Sequence, residues 1–289
     1  LAGYTAPPQG NRLLEIRQGS PTGLLYRQFR YDDAGRLMTK RDGAGKTQYL
    51  LDYNGKGQTD LSAIPGLTFT PMEYDTAGHR IRKGAEQYFM QGKNLEATYT
   101  NGHLQDKYLR GVVVDEIVNG YHYTNPKDAN DWINYTFHHD QLNSVIALSG
   151  PAGGIKETTA YDAFGKPLSL ALPGTGNDML FTGRQYDRQT GLYYYRARYY
   201  DPEIGRFLSE DPLGFKAGVN FYTYVNNNPV NRNDPSGNCP QCIVGGVINA
   251  LAGMGINYFT HQPITPENVI IDFATGAVGV GIITKFERL

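Results

Sequence analysis

The chain has 289 residues, room for one large or two ordinary domains, and at this length roughly three-quarters of the unfolded surface can be buried. Its 35 Gly, 22 Tyr and 16 Pro, with 19% charged residues, suit many short strands joined by tight turns and argue against a helical bundle. A net charge of -1 excludes a global field drawing the chain to nucleic acid or anionic lipid, and two cysteines are too few for a disulfide framework.

The first residues lack a basic segment followed by an apolar run, so no signal peptide is expected; Leu1 in place of Met suggests a piece of a longer polypeptide. From there a tyrosine-aspartate pair recurs, with glycine three or four residues after the Asp. The copies are Tyr31-Asp32 with Gly35, Tyr74-Asp75 with Gly78, and Tyr161-Asp162 with Gly165; looser ones are Tyr186-Asp187 with Gly191 and Tyr200-Asp201 with Gly205. The pattern predicts β-hairpins in which the strand ends on Tyr, Asp opens the turn and Gly takes its positive-φ position. Each hairpin buries one face, so neighbours must pair into a continuous sheet of irregular period. Asn101-Gly102 and Asn119-Gly120 read as further hairpin turns, and residues 135–148 as two strands around His138-His139-Asp140. With no third ligand at a recognisable spacing, those histidines read as an exposed turn and not a metal site.

Residues 192–237 are the most specific stretch. They hold Tyr193-Tyr194-Tyr195-Arg196-Ala197-Arg198-Tyr199-Tyr200-Asp201-Pro202, then Asp211-Pro212-Leu213-Gly214, Asn220-Phe221-Tyr222-Thr223-Tyr224-Val225, and Asp234-Pro235-Ser236-Gly237. The aromatic residues of 193–224 are expected to pack inward, with Tyr222 and Tyr224 on a buried strand. This block resembles the core-associated segment that closes Rhs (YD-repeat) proteins and the C components of insecticidal toxin complexes. The resemblance extends over residues 26–238.

What the resemblance implies is a hollow shell of spiralling β-sheet enclosing the chain's own C-terminal toxin domain, in a protein secreted by a bacterium or held on its surface. An immunity protein and a secretion machinery are its implied partners. In that family two Asp-Pro-x-Gly motifs supply an aspartic autoprotease, which assigns Asp211 and Asp234 as the catalytic pair and places the cut at Asn238-Cys239. The chemistry is consistent: two carboxylates held close cannot both ionise easily, so one keeps a proton and acts as acid while the other activates water. The competing reading is that Asp-Pro-x-Gly is simply a good turn. One departure stands out, because the family usually has Leu where this chain has Asn238. Arg198 and Arg206 are candidates to pair with a catalytic carboxylate, or else with Asp187 or Asp201 across strands. No cofactor is implied.

After Asn238 the texture changes. Cys239-Pro240-Gln241-Cys242 is half a metal or redox motif without its second half. Residues 243–259 and 269–285 are Gly-studded apolar runs, short for membrane spans but compatible with membrane contact or with helical cargo. The expected organisation is a YD-repeat β-shell segment at 1–191, a core-associated segment with the candidate autoprotease at 192–238, and a small, helix-compatible variable tail at 239–289. The alternative function is a non-proteolytic structural or surface-binding YD-repeat module for a carbohydrate or protein partner, its tyrosines stacking on the partner.

Overall fold

The computed structural model describes residues 11–238, apart from 65, 67, 68, 113, 126, 127, 129 and 170–174, together with the strand Ile243–Val244. The structure is mainly β, built of antiparallel sheets, and the helical elements among the described residues are short 3-10 turns. The expectations for Cys239, Cys242 and the two apolar runs otherwise lie outside the described residues. No described helix is long and apolar enough to cross a membrane.

The chain divides into two compact units, one of residues 1–88, 187–224 and 236–240, the other of 89–186, 225–235 and 241–289. The first unit begins with consecutive antiparallel strands: β1 (Glu15–Arg17), β2 (Leu25–Tyr31), β3 (Leu37–Asp42), β4 (Thr47–Tyr53), β5 (Thr59–Ala63), β6 (Thr70–Tyr74) and β7 (Arg80–Lys83). During β8 (Glu86–Gln91) the chain leaves that unit. The second unit holds β9 (Asn94–Thr100), β10 (His103–Arg110), β11 (Ile117–Tyr123), β12 (Trp132–His139), β13 (Val145–Ser149) and β14 (Ile155–Thr158), each paired with the next, and the small pair β15 (Ala160–Tyr161) and β16 (Pro167–Ser169). The chain returns through β17 (Gln185–Asp187) to β18 (Leu192–Tyr195), β19 (Arg198–Asp201) and β20 (Arg206–Phe207); β21 (Arg232–Asn233) and β22 (Ile243–Val244) form the last pair.

The tyrosine-aspartate copies make one recurring turn. In the copy at Asp32, Gly35 donates its N–H to the Asp32 carbonyl at 3.0 Å, and Asp32 Oδ1 accepts the Arg36 N–H at 2.8 Å. Asp75 with Gly78 and His79, and Asp162 with Gly165 and Lys166, repeat both bonds. The glycines have φ of 77°, 87° and 85°, a conformation that costs a side chain roughly 1 kcal/mol or more. The same turn recurs at Asp42, Asn54 and Asp140, where no Tyr-Asp pair marks it.

Asn101-Gly102 is a tight turn with both residues at positive φ, as expected. Asn119-Gly120 is not a turn. Both residues lie inside β11, where a Cβ on Gly120 would stand 2.7 Å from the Phe137 ring of β12. Gly120 is there to admit that ring, and Asn119 bonds Asn134 across the strands at 3.0 Å. His138 and His139 end β12 and Asp140 opens the turn that follows. Burial and the neighbouring His138 push His139 down to about 4.

Leu13, Phe29, Leu37, Tyr49, Leu51, Met72, Leu192, Tyr199 and Leu208 form the core of the first unit. A buried polar knot ties β19 into it: Asp201 Oδ2 takes Lys40 Nζ at 2.7 Å and the Tyr49 hydroxyl at 3.0 Å. The second unit buries Tyr108, Ile117, Tyr135, Phe137, Val145, Leu148, Leu180 and Phe181.

Candidate functional site

The tyrosine-rich run folds as a hairpin in which Tyr193 faces Tyr200 and Tyr195 faces Arg198, closed by Arg196 at φ 58°. Tyr193, Tyr195, Tyr200, Phe207 and Tyr224 are all at most 2% exposed. Their rings meet at 4.5 Å for Tyr200 and Tyr224 and 5.9 Å for Tyr195 and Phe207, and the Tyr195 and Tyr224 hydroxyls bond each other at 3.1 Å. Such a cluster fixes the backbone that carries Arg198, since aromatic pairs add about 1 kcal/mol each beyond area burial.

The Arg198 guanidinium lies 3.7 Å over the Phe207 ring and its side chain is 1% exposed. Nη2 donates to Asp211 Oδ2 at 2.7 Å, Nη1 to the Phe221 carbonyl at 2.9 Å, and Nε to the Gly237 carbonyl. Stripping both ions of water offsets most of the attraction in such a pair, so its chief effect is placement. Asp211 opens the turn that its Asp-Pro-Leu-Gly sequence predicts: Oδ1 accepts the Leu213 N–H at 2.9 Å, and Gly214, at φ 55°, donates to the Asp211 carbonyl at 2.9 Å. Both carboxylate oxygens of Asp211 are thus engaged.

The second Asp-Pro-x-Gly follows β21. Asp234 is 1% exposed. The three carbonyls after it are each held: Pro235 accepts from Arg184 Nη2 at 2.7 Å, Ser236 from the Ala197 N–H at 3.3 Å, and Gly237 from Arg198 Nε. Gly237 has φ 73°, and a Cβ on it would stand 2.1 Å from the Tyr195 carbonyl oxygen, so this position requires glycine. The Asn238 N–H donates to Ser236 Oγ at 3.1 Å. Its side-chain Oδ1 is buried and meets no hydrogen-bond partner among the described residues. Cys239 lies outside them.

Arg206 stands opposite Asp201 across β19 and β20, the cross-strand position given above as the alternative, and donates to the Asn11 carbonyl at 2.6 Å and to Asn220 Oδ1 at 3.1 Å. Neither cross-strand alternative holds for Arg198, because Asp187 takes Lys83 at 3.0 Å and Asp201 takes Lys40. Tyr222 and Tyr224 are 1% and 0% exposed, as expected, but in an irregular segment with an isolated bridge from Thr223 to Arg206. Phe215 departs from the inward packing: it is 83% exposed on a 3-10 turn. Sequence reasoning missed Arg184 and its carboxylate partner Asp115, which are 69 residues apart with no motif joining them.

The Teneurin YD-shell family model matches residues 129–230. Double-stranded DNA deaminase toxin A of Burkholderia cenocepacia is 29% identical over 259 residues, covering 79% of this chain and 17% of that protein. The tRNA(Glu)-specific nuclease WapA of Bacillus subtilis subsp. natto is 33% identical over 277 residues, covering 90% of this chain and 11% of that protein. Among solved structures, the TcdB2-TccC3-TEV chain superposes with a TM-score of 0.55 at 22% identity, over 81% of this chain and 13% of that one. The chain therefore spans a small fraction of each of these longer proteins, and it resembles the Rhs-type YD-repeat shell proteins in sequence and fold.

Proposed function

We propose that this chain is the closing segment of a secreted or surface-held toxin shell that encloses its own C-terminal effector and frees it by aspartic autoproteolysis next to Asn238. The observation that carries this reading is Arg198, one buried guanidinium bound both to the Asp211 carboxylate and to the Gly237 carbonyl, one residue before the candidate scissile bond. Three peptide units join Asp234 to Gly237, so the two Cα atoms are tethered within roughly 11 Å of each other along the chain. Holding the peptide at consecutive carbonyls beside a carboxylate replaces a diffusional encounter with an intramolecular one. Asp211 and Asp234 would share one proton, the protonated member donating to the leaving amine and the ionised one activating water. The relatives' names give a DNA deaminase and tRNA nucleases, which fits one shell carrying different tails. An immunity protein and a secretion machinery complete the expected system.

Intact-mass analysis of freshly expressed protein tests the reading, with two pieces joined at 238 and 239 expected. A single uncut mass in both the parent and Asn238→Leu would refute it. The engagement of one Asp211 oxygen by its turn and of the other by Arg198 favours the second reading, a shell module without proteolysis, and that same uncut result would support it.

A further inference from the structure

We propose that Arg184, fixed by Asp115, is a second positioning residue for the segment at 235–238, a role that rests on the autoproteolytic reading above. Arg184 and Asp115 are both 6% exposed and form an ion pair, and Arg184 Nη2 also donates to the Pro235 carbonyl at 2.7 Å. The proline ring already fixes φ at that residue, so anchoring its carbonyl fixes ψ as well and sets the direction in which the chain leaves Asp234.

The surrounding backbone is shaped to present these two side chains. Asp115, Asn143, Thr182 and Gly183 all have positive φ, at 67°, 69°, 50° and 69°. Three of them are not glycine, and such conformations cost of order 1 kcal/mol or more each. A Cβ on Gly183 would stand 2.7 Å from the Asp115 carbonyl oxygen, so the approach of the two loops requires glycine there. The loop before Arg184 is pinned to β13 by the Val145 N–H on the Leu180 carbonyl at 3.1 Å and by the Thr182 N–H on Ser144 Oγ at 3.1 Å. Asn143 Nδ2 holds the Val114 carbonyl at 3.2 Å, next to Asp115. Strained residues gathered around the half-buried Pro235 contact are of the kind that functional sites hold in place. Arg184 does for Pro235 what Arg198 does for Gly237, and a planar fork is needed because one guanidinium must serve a carboxylate and a carbonyl together.

The test uses the full chain with Arg184→Met, Arg184→Lys and Asp115→Asn. Cleavage followed by intact mass should slow at least tenfold in Arg184→Met, stay slow in Arg184→Lys, and recover in part when guanidinium is added to Arg184→Met at non-denaturing concentration. A residue with a merely structural role would show no such rescue. Amide exchange in the uncut Asp211→Asn background gives the second readout: Ser236 and Asn238 should exchange at least tenfold faster with Arg184→Met, while β10 to β12 stay unchanged. If Arg184→Met folds poorly, Asp115→Asn, which keeps the volume and loosens the guanidinium, should shift the same amides. Unchanged exchange at 236–238, or cleavage at the parent rate, overturns the proposal. Faster exchange in a chain whose parent is never cut keeps the positioning role and removes the proteolytic reading.

Discussion

Asp211 and Asp234 each open an Asp-Pro-x-Gly sequence and are both buried, at 5% and 1% exposure. The Asp-Pro-x-Gly motifs and the run before them marked both aspartates and Arg198, whereas nothing local distinguishes Arg184 or Asp115, because a contact across 69 residues leaves no spacing signal. Asp211→Asn and Asp234→Asn should each abolish the cut near Asn238, read by a denaturing gel over a time course; Asp211→Asn keeps the turn bond to Leu213 but leaves the buried Arg198 without its carboxylate, so it should also lower the unfolding midpoint. A different residue pair sets a pH dependence. The Asp106 carboxylate accepts a hydrogen bond from His122 Nδ1 at 2.8 Å, and this bond, opposed by burial and assisted by the Asp106 charge, raises the His122 pKa. A raised histidine pKa contributes stability that is fully present below the unfolded value near 6.5 and is lost as pH climbs through the folded value. His122→Gln should therefore cost about 1 kcal/mol at pH 5.5 and nearly nothing at pH 9, by urea midpoints at the two pH values.

At the scale of elements, the Tyr-Asp…Gly texture was legible because each turn is local: one side chain, one positive-φ residue and four intervening bonds. Copies at Asp42, Asn54 and Asp140 were missed because the geometry asks only for a short acceptor at the first position, and Asn143 can take the glycine's place at φ 69°. Asn119-Gly120 misled for the opposite reason. Its glycine answers to a ring on the next strand, a tertiary demand that looks identical to a turn in sequence. Gly120→Ala should destabilise the protein by about 2 kcal/mol through displacement of the Phe137 ring, with the neighbouring hairpin at Asn101 unaffected. Differential scanning fluorimetry with amide exchange on β11 and β12 would show it. Tyr222 and Tyr224 were correctly placed inside but wrongly placed on a strand, because burial follows from their size while the extended form fails at Val225, Asn226 and Asn227, all left-handed at φ 41°, 55° and 57°.

For the whole molecule, the first unit depends on a polar knot that no repeat motif announces. Lys40 at 4% exposure neutralises Asp201 at 1%, and Arg27 reaches Glu203 at 2.6 Å beside them. Lys40→Met should cost about 3 kcal/mol, because it strands a buried carboxylate, whereas Lys40→Met with Asp201→Leu should recover a large part of the loss. Chemical denaturation of the four variants closes that cycle. The β21–β22 pair carries a different consequence. Arg232 faces Val244 and Asn233 faces Ile243, so the residues on either side of the candidate cut are laced to each other by the sheet as well as by the peptide bond. Severing the bond at 238 would turn a closed loop into a nicked one and leave its two ends still clasped. On the proposed reading, scission and departure would be separate events with separate clocks: the first set by the two carboxylates and independent of dilution, the second by a ladder of two residue pairs too short to persist alone once its surroundings loosen.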